Sequence, residues 1–413
     1  MFKALFRTRY TPIAIWILFV LSVVIYEYAD NQTGFYQVLV TTMYFSPVLY
    51  LLCVKKIDQT DYLLIITLFL MFISAYWHPE HFRSSTVLYS GMFIATFMLY
   101  KNLIFRGALT LETYINFIKI IIYAYSIVLI IQQIQVTLHT TVFNQNWVSV
   151  DSYKLNSLSL EPSNTLLIIP LFLFSYIKML EIKRREAKYQ LLHCLKEDKW
   201  VWMAAMYVCF TCGSTSVFFT IPFFFCYFLS DKNLSYVFFI PLILTLCIAI
   251  LGVFKSDLLE RFIYLTTNMG LFSEEGLKNI DSSSACRIVP IVEFFKTIEL
   301  GPDLILGHGI DQMEIHNTEI IVGDPERRIG AKNIFAQFYD YGWIAGLSFM
   351  AFLFKTTVPK LVSFESFFYI STFSIITLNH YILWLFVCMM FTNLYFERNF
   401  YAHKRFFYNH HDI

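Results

Sequence analysis

Hydrophobic positions in this chain come in long unbroken runs. They show neither the every-other-residue alternation of a half-buried strand nor the one-sided stripe of a soluble helix. Runs at about 11–29, 35–54, 62–77, 84–100, 113–136 and 163–180 read as membrane-crossing helices. After a charged stretch come 200–212, 216–230, 234–254, 333–354, 361–378 and 381–396. Most approach the roughly 20 apolar residues that a bilayer crossing needs. The stretch between Lys199 and Asp231 is too long for one straight helix and short for two. Its polar break, Thr211-Cys212-Gly213-Ser214-Thr215-Ser216, makes a helix-turn-helix entering from one surface the better reading. One long tilted helix is the alternative, and it would invert everything after it.

The predicted fold class is therefore all-α, a polytopic helical integral membrane protein of about 12 transmembrane helices. Lys and Arg orient it. With both ends cytoplasmic, the inner segments hold the basic N-tail, Lys55/Lys56, Lys101/Arg106, the run from Lys178 to Lys199, Lys232, Lys355/Lys360 and the basic C-tail. The short outer loops hold Arg83 and Lys154. The expected organisation is a bundle over 1–254 with an outer loop at 137–162, a periplasmic loop subdomain over 255–332, further spans over 333–396 and a cytoplasmic tail over 397–413. The 255–332 segment is net negative and reads as short amphipathic helices, Leu258–Thr267 and Ser284–Leu300, followed by Gly301-Pro302 and the turn Gly307-His308-Gly309. Lys119, the clearest ionisable residue inside a span, lies near a cytoplasmic end, where a long side chain snorkels.

Composition agrees. Apolar residues make up 57% of the 413 and charged residues 15%, against about 25% charged in soluble domains. A soluble core, a disordered chain and an outer-membrane barrel are excluded, the last because barrel strands alternate. The net charge of +1 gives no field for nucleic acid, and no nucleic-acid partner is expected. The eight cysteines are scattered through apolar runs, so they form no disulfide framework or zinc ribbon. Cys209 and Cys212 read as small helix-packing residues. Lys3, Arg7 and Arg9 before the first run resemble a signal peptide, but the run is long and lacks a small-residue cleavage site, so a retained first span is expected.

Candidate chemistry gathers at the outer ends of the spans. Ser157-Leu158-Ser159-Leu160-Glu161-Pro162-Ser163-Asn164 places proline at a first helical position with a carboxylate beside it. Glu161 is then either part of a plain helix start, favoured by the dipole, or a base or hydroxyl acceptor at the membrane mouth. Arg287 follows Ser282-Ser283-Ser284 in the first turn of a helix, where a cation opposes the dipole and needs another partner. A phosphate fits its fork; a salt bridge to Glu293 or another acid of the loop is the alternative. Gly307-His308-Gly309 lacks a phosphate-loop lysine and is not a nucleotide site. His308 is a proton shuttle or a bystander in a surface turn. Arg327, Arg328 and Lys332 put cations at the same mouth, as anchors or as lures for an anionic headgroup. His78-Pro79-Glu80-His81 has no third ligand in view, and neither a metal nor a cofactor is expected.

In order, these pieces resemble the bacterial O-antigen and capsule repeat-unit polymerases (Wzy type), relatives of the O-antigen ligases. The resemblance covers roughly residues 155–350. It rests on Glu161-Pro162-Ser163 entering a middle span, the polar break Gly213-Ser214-Thr215-Ser216, Arg287 in a Ser-rich helix start, and the Gly-x-Gly turn after Pro302. It ends with Asn333 heading a span that continues Tyr341-Gly342-Trp343-Ile344-Ala345-Gly346. Two departures stand out. Many relatives carry an arginine in the polar break, and ligases commonly carry a histidine where Lys332 stands. The second departure favours polymerase over ligase.

The resemblance implies glycosyl transfer at the periplasmic face of the bacterial inner membrane. Donor and acceptor are both undecaprenyl-diphosphate-linked glycans, membrane lipid surrounds the reaction, and a separate chain-length regulator is a family partner. Glu161, Arg287 and His308 are the implied catalytic residues. Ser163, Ser214, Ser284, Arg327, Arg328, Lys332 and Asn333 are the implied substrate-binding ones. Two rivals stand beside this reading: a ligase that passes the glycan to lipid A-core, and a transporter of lipid-linked sugar, which would need a basic shaft through the membrane depth.

Overall fold

The computed structural model describes residues 10–21, 35–53, 57–81, 83–144, 155–159, 161–184, 196–212, 227, 286, 289–290, 293–294, 303–323, 333–361, 363–373 and 376–408. Among them every regular element is helical, with no strand. In chain order they are α1 (Thr11–Leu21), α2 (Phe35–Cys53), α3 (Gln59–Trp77), α4 (Ser84–Phe105), α5 (Leu111–Thr137), α6 (Pro162–Arg184) and α7 (Lys199–Thr211). A single 3₁₀ turn, Pro79–His81, links α3 to α4. Then follow α8 (Asp303–Leu306), α9 (Gln312–Val322), α10 (Ala336–Tyr341), α11 (Trp343–Thr357), α12 (Phe364–Phe373) and α13 (Tyr381–Tyr408).

Among the described residues four helices, α3, α4, α5 and α6, are long and apolar enough to cross a membrane. Their outer faces fit that role. α3 exposes Tyr62, Ile65, Ile66, Phe69, Phe72 and Tyr76, and α5 exposes Ile120, Ile127, Ile130, Ile131 and Ile134. Apolar stripes of this length are what a lipid-facing helix presents, and a water-soluble monomer rarely shows them. The protein is an all-helical, membrane-associated chain.

Its contacts divide it into two compact units. Unit 1 comprises Met1–Thr42, Tyr100–Leu258 and Leu385–Ile413; unit 2 comprises Met43–Leu99 and Leu259–Trp384. In unit 1, α6 is the central helix. It opens on Pro162, where the missing N–H costs nothing, and closes on Lys183 and Arg184, which suit the negative end of the dipole. Almost all its residues from Thr165 to Glu181 are buried. α1 adds Trp16, stacked on Phe117 of α5 at 5.2 Å and 4.6 Å from Tyr114. The Tyr114 hydroxyl donates to Asn393 Oδ1 of α13 (3.3 Å), and Asn393 Nδ2 donates to Ser175 Oγ of α6 (3.0 Å).

The course of the chain around α6 can be followed from its polar contacts. Lys183 pairs with Glu112 at 3.4 Å, so α5 starts at the foot of α6 and runs antiparallel to it. α7 also starts at the foot. The Tyr176 hydroxyl donates to Asp198 (2.6 Å), and Arg184 pairs with Glu197 (2.8 Å). α7 ends at the head, where the Cys212 carbonyl accepts the Leu155 N–H at 3.2 Å. Tyr227 is back at the foot, its hydroxyl on Glu181 and its ring under Lys178 Nζ at 5.3 Å. Residues 199 and 227 thus lie at the foot of α6 and residue 212 at its head; the residues between 212 and 227 lie outside the described residues. The eighth and ninth runs, 216–230 and 234–254, otherwise lie outside the described residues, as does most of 255–302. Lys119 lays its ammonium over the Tyr176 ring at 5.4 Å.

In unit 2, α3 packs along α11, with Ser348 Oγ donating to the Leu63 carbonyl at 3.0 Å. Asp58 starts α3 with a reciprocal cap: its carboxylate accepts the Thr60 and Asp61 N–H groups, while Asp61 accepts the Asp58 N–H. Trp384 closes the interior against Phe93, Phe97, Phe349 and Phe352. The run at 333–354 is not one continuous helix. It breaks at Gly342 (φ +85°) into α10 and α11, because a Cβ there would meet the Ile305 carbonyl oxygen at 2.1 Å. Only glycine combines that left-handed backbone with so close an approach.

Candidate functional site

Two of the implied motif regions are described well enough to build from their residues, one in each unit. The first is the head of α6. Gln132, a fully buried amide on apolar α5, organises it. Its Oε1 accepts the Ser157 N–H (2.8 Å), and its Nε2 donates to the Phe143 carbonyl (2.8 Å) and lies 3.3 Å from the Ser157 carbonyl. Asn144 Nδ2 donates to the Ser157 carbonyl (2.8 Å), and Asn156 Nδ2 donates to the Asn144 carbonyl (2.8 Å). Ser157, left-handed at φ +52°, donates its hydroxyl to the Tyr125 carbonyl (2.6 Å). The Tyr125 hydroxyl pairs with Ser159 Oγ (3.0 Å), and Thr165 Oγ1 donates to the Asn156 carbonyl (2.7 Å).

This knot satisfies the backbone of 155–159 at the end of an apolar bundle, where an unpaired polar group is costly. Out of it Glu161 emerges exposed. Its carbonyl accepts the Asn164 and Thr165 N–H groups that open α6, and its carboxylate accepts the Ser163 hydroxyl at 3.0 Å. The carboxylate therefore stands at the positive end of a 23-residue helix, on a rigid base, with acceptor capacity left over. The polar break after Cys212 begins at the same head. Ser214 itself lies outside the described residues.

The second region is the Gly307-His308-Gly309 turn of unit 2. Gly307 (φ +73°) lies so close to α10 that a Cβ would meet the Asp340 carbonyl oxygen at 2.3 Å. The His308 and Gly309 N–H groups donate to the Tyr339 and Asp340 carbonyls at 2.9 and 3.1 Å. From α3, Ser74 Oγ donates to the Asp340 carbonyl (2.9 Å) and His78 Nε2 bonds the Gly307 carbonyl (2.9 Å). The Met313 N–H donates to Asp340 Oδ1 (2.8 Å). Beyond the turn, Asp311 Oδ2 accepts from Arg83 (3.0 Å) and from Thr86 (2.9 Å).

The His308 side chain is half-buried. Its ring lies flat on Tyr339, centroids 4.1 Å apart and planes 8° from parallel. Its Nδ1 is 3.1 Å from the Tyr339 carbonyl oxygen. A carbonyl only accepts, so Nδ1 carries the proton, and in the neutral ring Nε2 keeps its lone pair. His308 can take a proton through Nε2. His316 approaches the same Tyr339 ring at 6.3 Å and Glu293 at 3.8 Å. Asn333 begins the next segment, its Oδ1 accepting the Phe335 N–H (2.8 Å) while its buried Nδ2 has no partner among the described residues. Gly346 lies beneath Phe338, whose ring a Cβ would meet at 2.4 Å.

Of the implied site residues, Glu161 and Ser163 come together in unit 1, and His308 and Asn333 lie in unit 2. Arg287, Ser284, Arg327, Arg328 and Lys332 lie outside the described residues. Glu293, one acid suggested for Arg287, faces His316. His78, the first residue of the metal-like His-Pro-Glu-His run, bonds a carbonyl through Nε2 and approaches Glu80 at 3.6 Å through Nδ1. Among the described residues no group of three or more His, Cys, Asp or Glu is placed to hold a metal ion. That Gln132, Ser74, Arg83, Thr86 and Asp311 support these two regions was not legible in the sequence. Their only signal was polarity inside or beside apolar runs. No family model matches the chain, and neither a curated protein nor a solved structure matches it.

Proposed function

We propose that the protein polymerises undecaprenyl-diphosphate-linked oligosaccharide repeat units into O-antigen or capsular polysaccharide, at the periplasmic face of a bacterial inner membrane. In this reading the chain has about 12 spans, both termini are cytoplasmic, and 255–332 lies outside. The observation that carries it is the setting of His308: a ring laid on Tyr339 with Nδ1 at the Tyr339 carbonyl, on a turn clamped from several sides. The rigid seat of Glu161 adds to it. Both residues belong to motifs the resemblance supplies, and both are held as working acid–base groups need to be.

The chemistry is a displacement at an anomeric carbon. An acceptor sugar hydroxyl forms the new carbon–oxygen bond. The bond from that carbon to diphosphate breaks, and undecaprenyl diphosphate leaves with the electron pair. The hydroxyl proton goes to Glu161 or, as second choice, to His308 Nε2. The growing charge on the diphosphate falls to Arg287, with Arg327 and Arg328 as helpers, since fixed cations are worth most where charge develops. The lipid tails keep both reactants in the membrane plane, so that encounter becomes positioning.

Deleting the gene and analysing the cell's glycans tests this. A polymerase defect leaves single repeat units attached where long chains stood. Full-length chains stranded on undecaprenyl diphosphate would mark a ligase instead. Single lipid-linked units held on the cytoplasmic leaflet would mark a transporter. Either outcome overturns the proposal.

A further inference from the structure

We infer that Arg83 and Asp311 are a positioning pair that fixes the His308 ring, an assignment whose catalytic meaning rests on the reading above. Asp311 follows the turn directly and is 2% exposed. It occupies the N-cap position of α9, yet its carboxylate caps nothing in that helix. Instead Oδ2 turns to the α3–α4 side and accepts from both Arg83 and Thr86. Its backbone is left-handed, at φ +60°, a conformation uncommon for non-glycine residues though tolerated by aspartate. A helix cap exchanged for a long-range tether indicates that the tether matters more.

What the tether restrains is the adjacent turn. Gly307 and Gly309 both have positive φ, at 73° and 107°, a backbone that glycine adopts readily and other residues do not. His78 and the Tyr339 and Asp340 carbonyls grip the turn on its near side. Asp311 grips its far side. Between the grips the ring is laid on Tyr339 with Nδ1 on a carbonyl, and Nε2 takes one direction. The partners are unequal: the Asp311 side chain is 3% exposed and that of Arg83 45%. Removing Arg83 thus loosens the tether without opening the interior, while Thr86 still donates to Asp311.

The test compares wild type, Arg83→Ala, Arg83→Lys and Asp311→Asn in lipid nanodiscs, with two readouts. The first is steady-state extension of a synthetic lipid-linked repeat unit. We expect kcat to fall about tenfold to a hundredfold in Arg83→Ala and Asp311→Asn, the scale of a small misplacement of a reacting group. KM should stay within about twofold, and Arg83→Lys should recover part of the loss. The second readout is the ¹⁵N signal of His308 in histidine-labelled protein, assigned by its disappearance in His308→Asn. The Nδ1–H tautomer should dominate in wild type and lose population in Arg83→Ala. Full-rate extension by Arg83→Ala, or an unchanged His308 signal, overturns the inference. Should Asp311→Asn fail to fold, Arg83→Ala carries both readouts alone. Should wild type extend nothing, the polymerase reading fails, and the His308 signal still decides whether the pair positions the ring.

Discussion

Replacing Gln132 by Met keeps the length and flexibility of the side chain and deletes its amide. The Ser157 N–H then loses its acceptor at a fully buried site, and the Phe143 carbonyl loses the amide donor 2.8 Å away. The Ser157 carbonyl is spared, because Asn144 still donates to it. The buried Ser157 N–H left unsatisfied costs about 1–3 kcal/mol, while water reaches the carbonyl of half-exposed Phe143, so about 2 kcal/mol is expected. An ordinary hydrogen bond between membrane helices is worth about 0.6 kcal/mol, so the two views separate clearly. Reversible unfolding in mixed micelles measures the difference, with Gln135→Met as the control. Gln135 also reaches the Phe143 loop, through the Phe143 N–H, but at an exposed site where water replaces it, so its loss should stay under about 0.5 kcal/mol. A Gln132→Met loss below about 1 kcal/mol would refute the idea that this amide holds the head of α6.

Gly342→Ala should be far more damaging than Gly323→Ala. Both have positive φ, but only the first drives a Cβ into backbone, so Gly323→Ala should cost about 1–2 kcal/mol and Gly342→Ala should prevent normal yield of folded protein, read by size-exclusion profile and thermal unfolding. Glu161→Gln keeps the size of an exposed side chain, so it should leave thermal stability unchanged while extension falls about a hundredfold or more, the range of a lost general base. His308→Gln should reduce extension about tenfold or more; full-rate extension by this variant would remove His308 from the proton path.

Apolar run length located the long helices well. The runs at 113–136 and 163–180 became Leu111–Thr137 and Pro162–Arg184, because burial along a whole helix leaves an unbroken hydrophobic record. The same record concealed the break at Gly342. One glycine scarcely alters the hydropathy of 333–354, and what forces the turn is a carbonyl on α8, remote in sequence. The two candidate sites divide similarly. Glu161-Pro162 announced itself, since proline and carboxylate at a helix start are local chemistry. The supporting residues did not. Arg83 passed for an ordinary outer-loop charge because its partner Asp311 lies 228 positions further along. Gln132 passed for one polar residue in an apolar helix because its partners come from a loop with no pattern of its own.

The central claim is that this chain joins lipid-linked repeat units to one another. Purified protein in lipid, given one synthetic undecaprenyl-diphosphate repeat unit from the same glycan locus, tests it most directly by mass spectrometry beside an Arg287→Ala control. The account predicts dimers and longer ladders from wild type and none from the mutant. Ladders that persist in the mutant would keep the function and remove Arg287 from the site. No extension with the correct repeat unit, but transfer once lipid A-core is added, would contradict the account and make the protein a ligase.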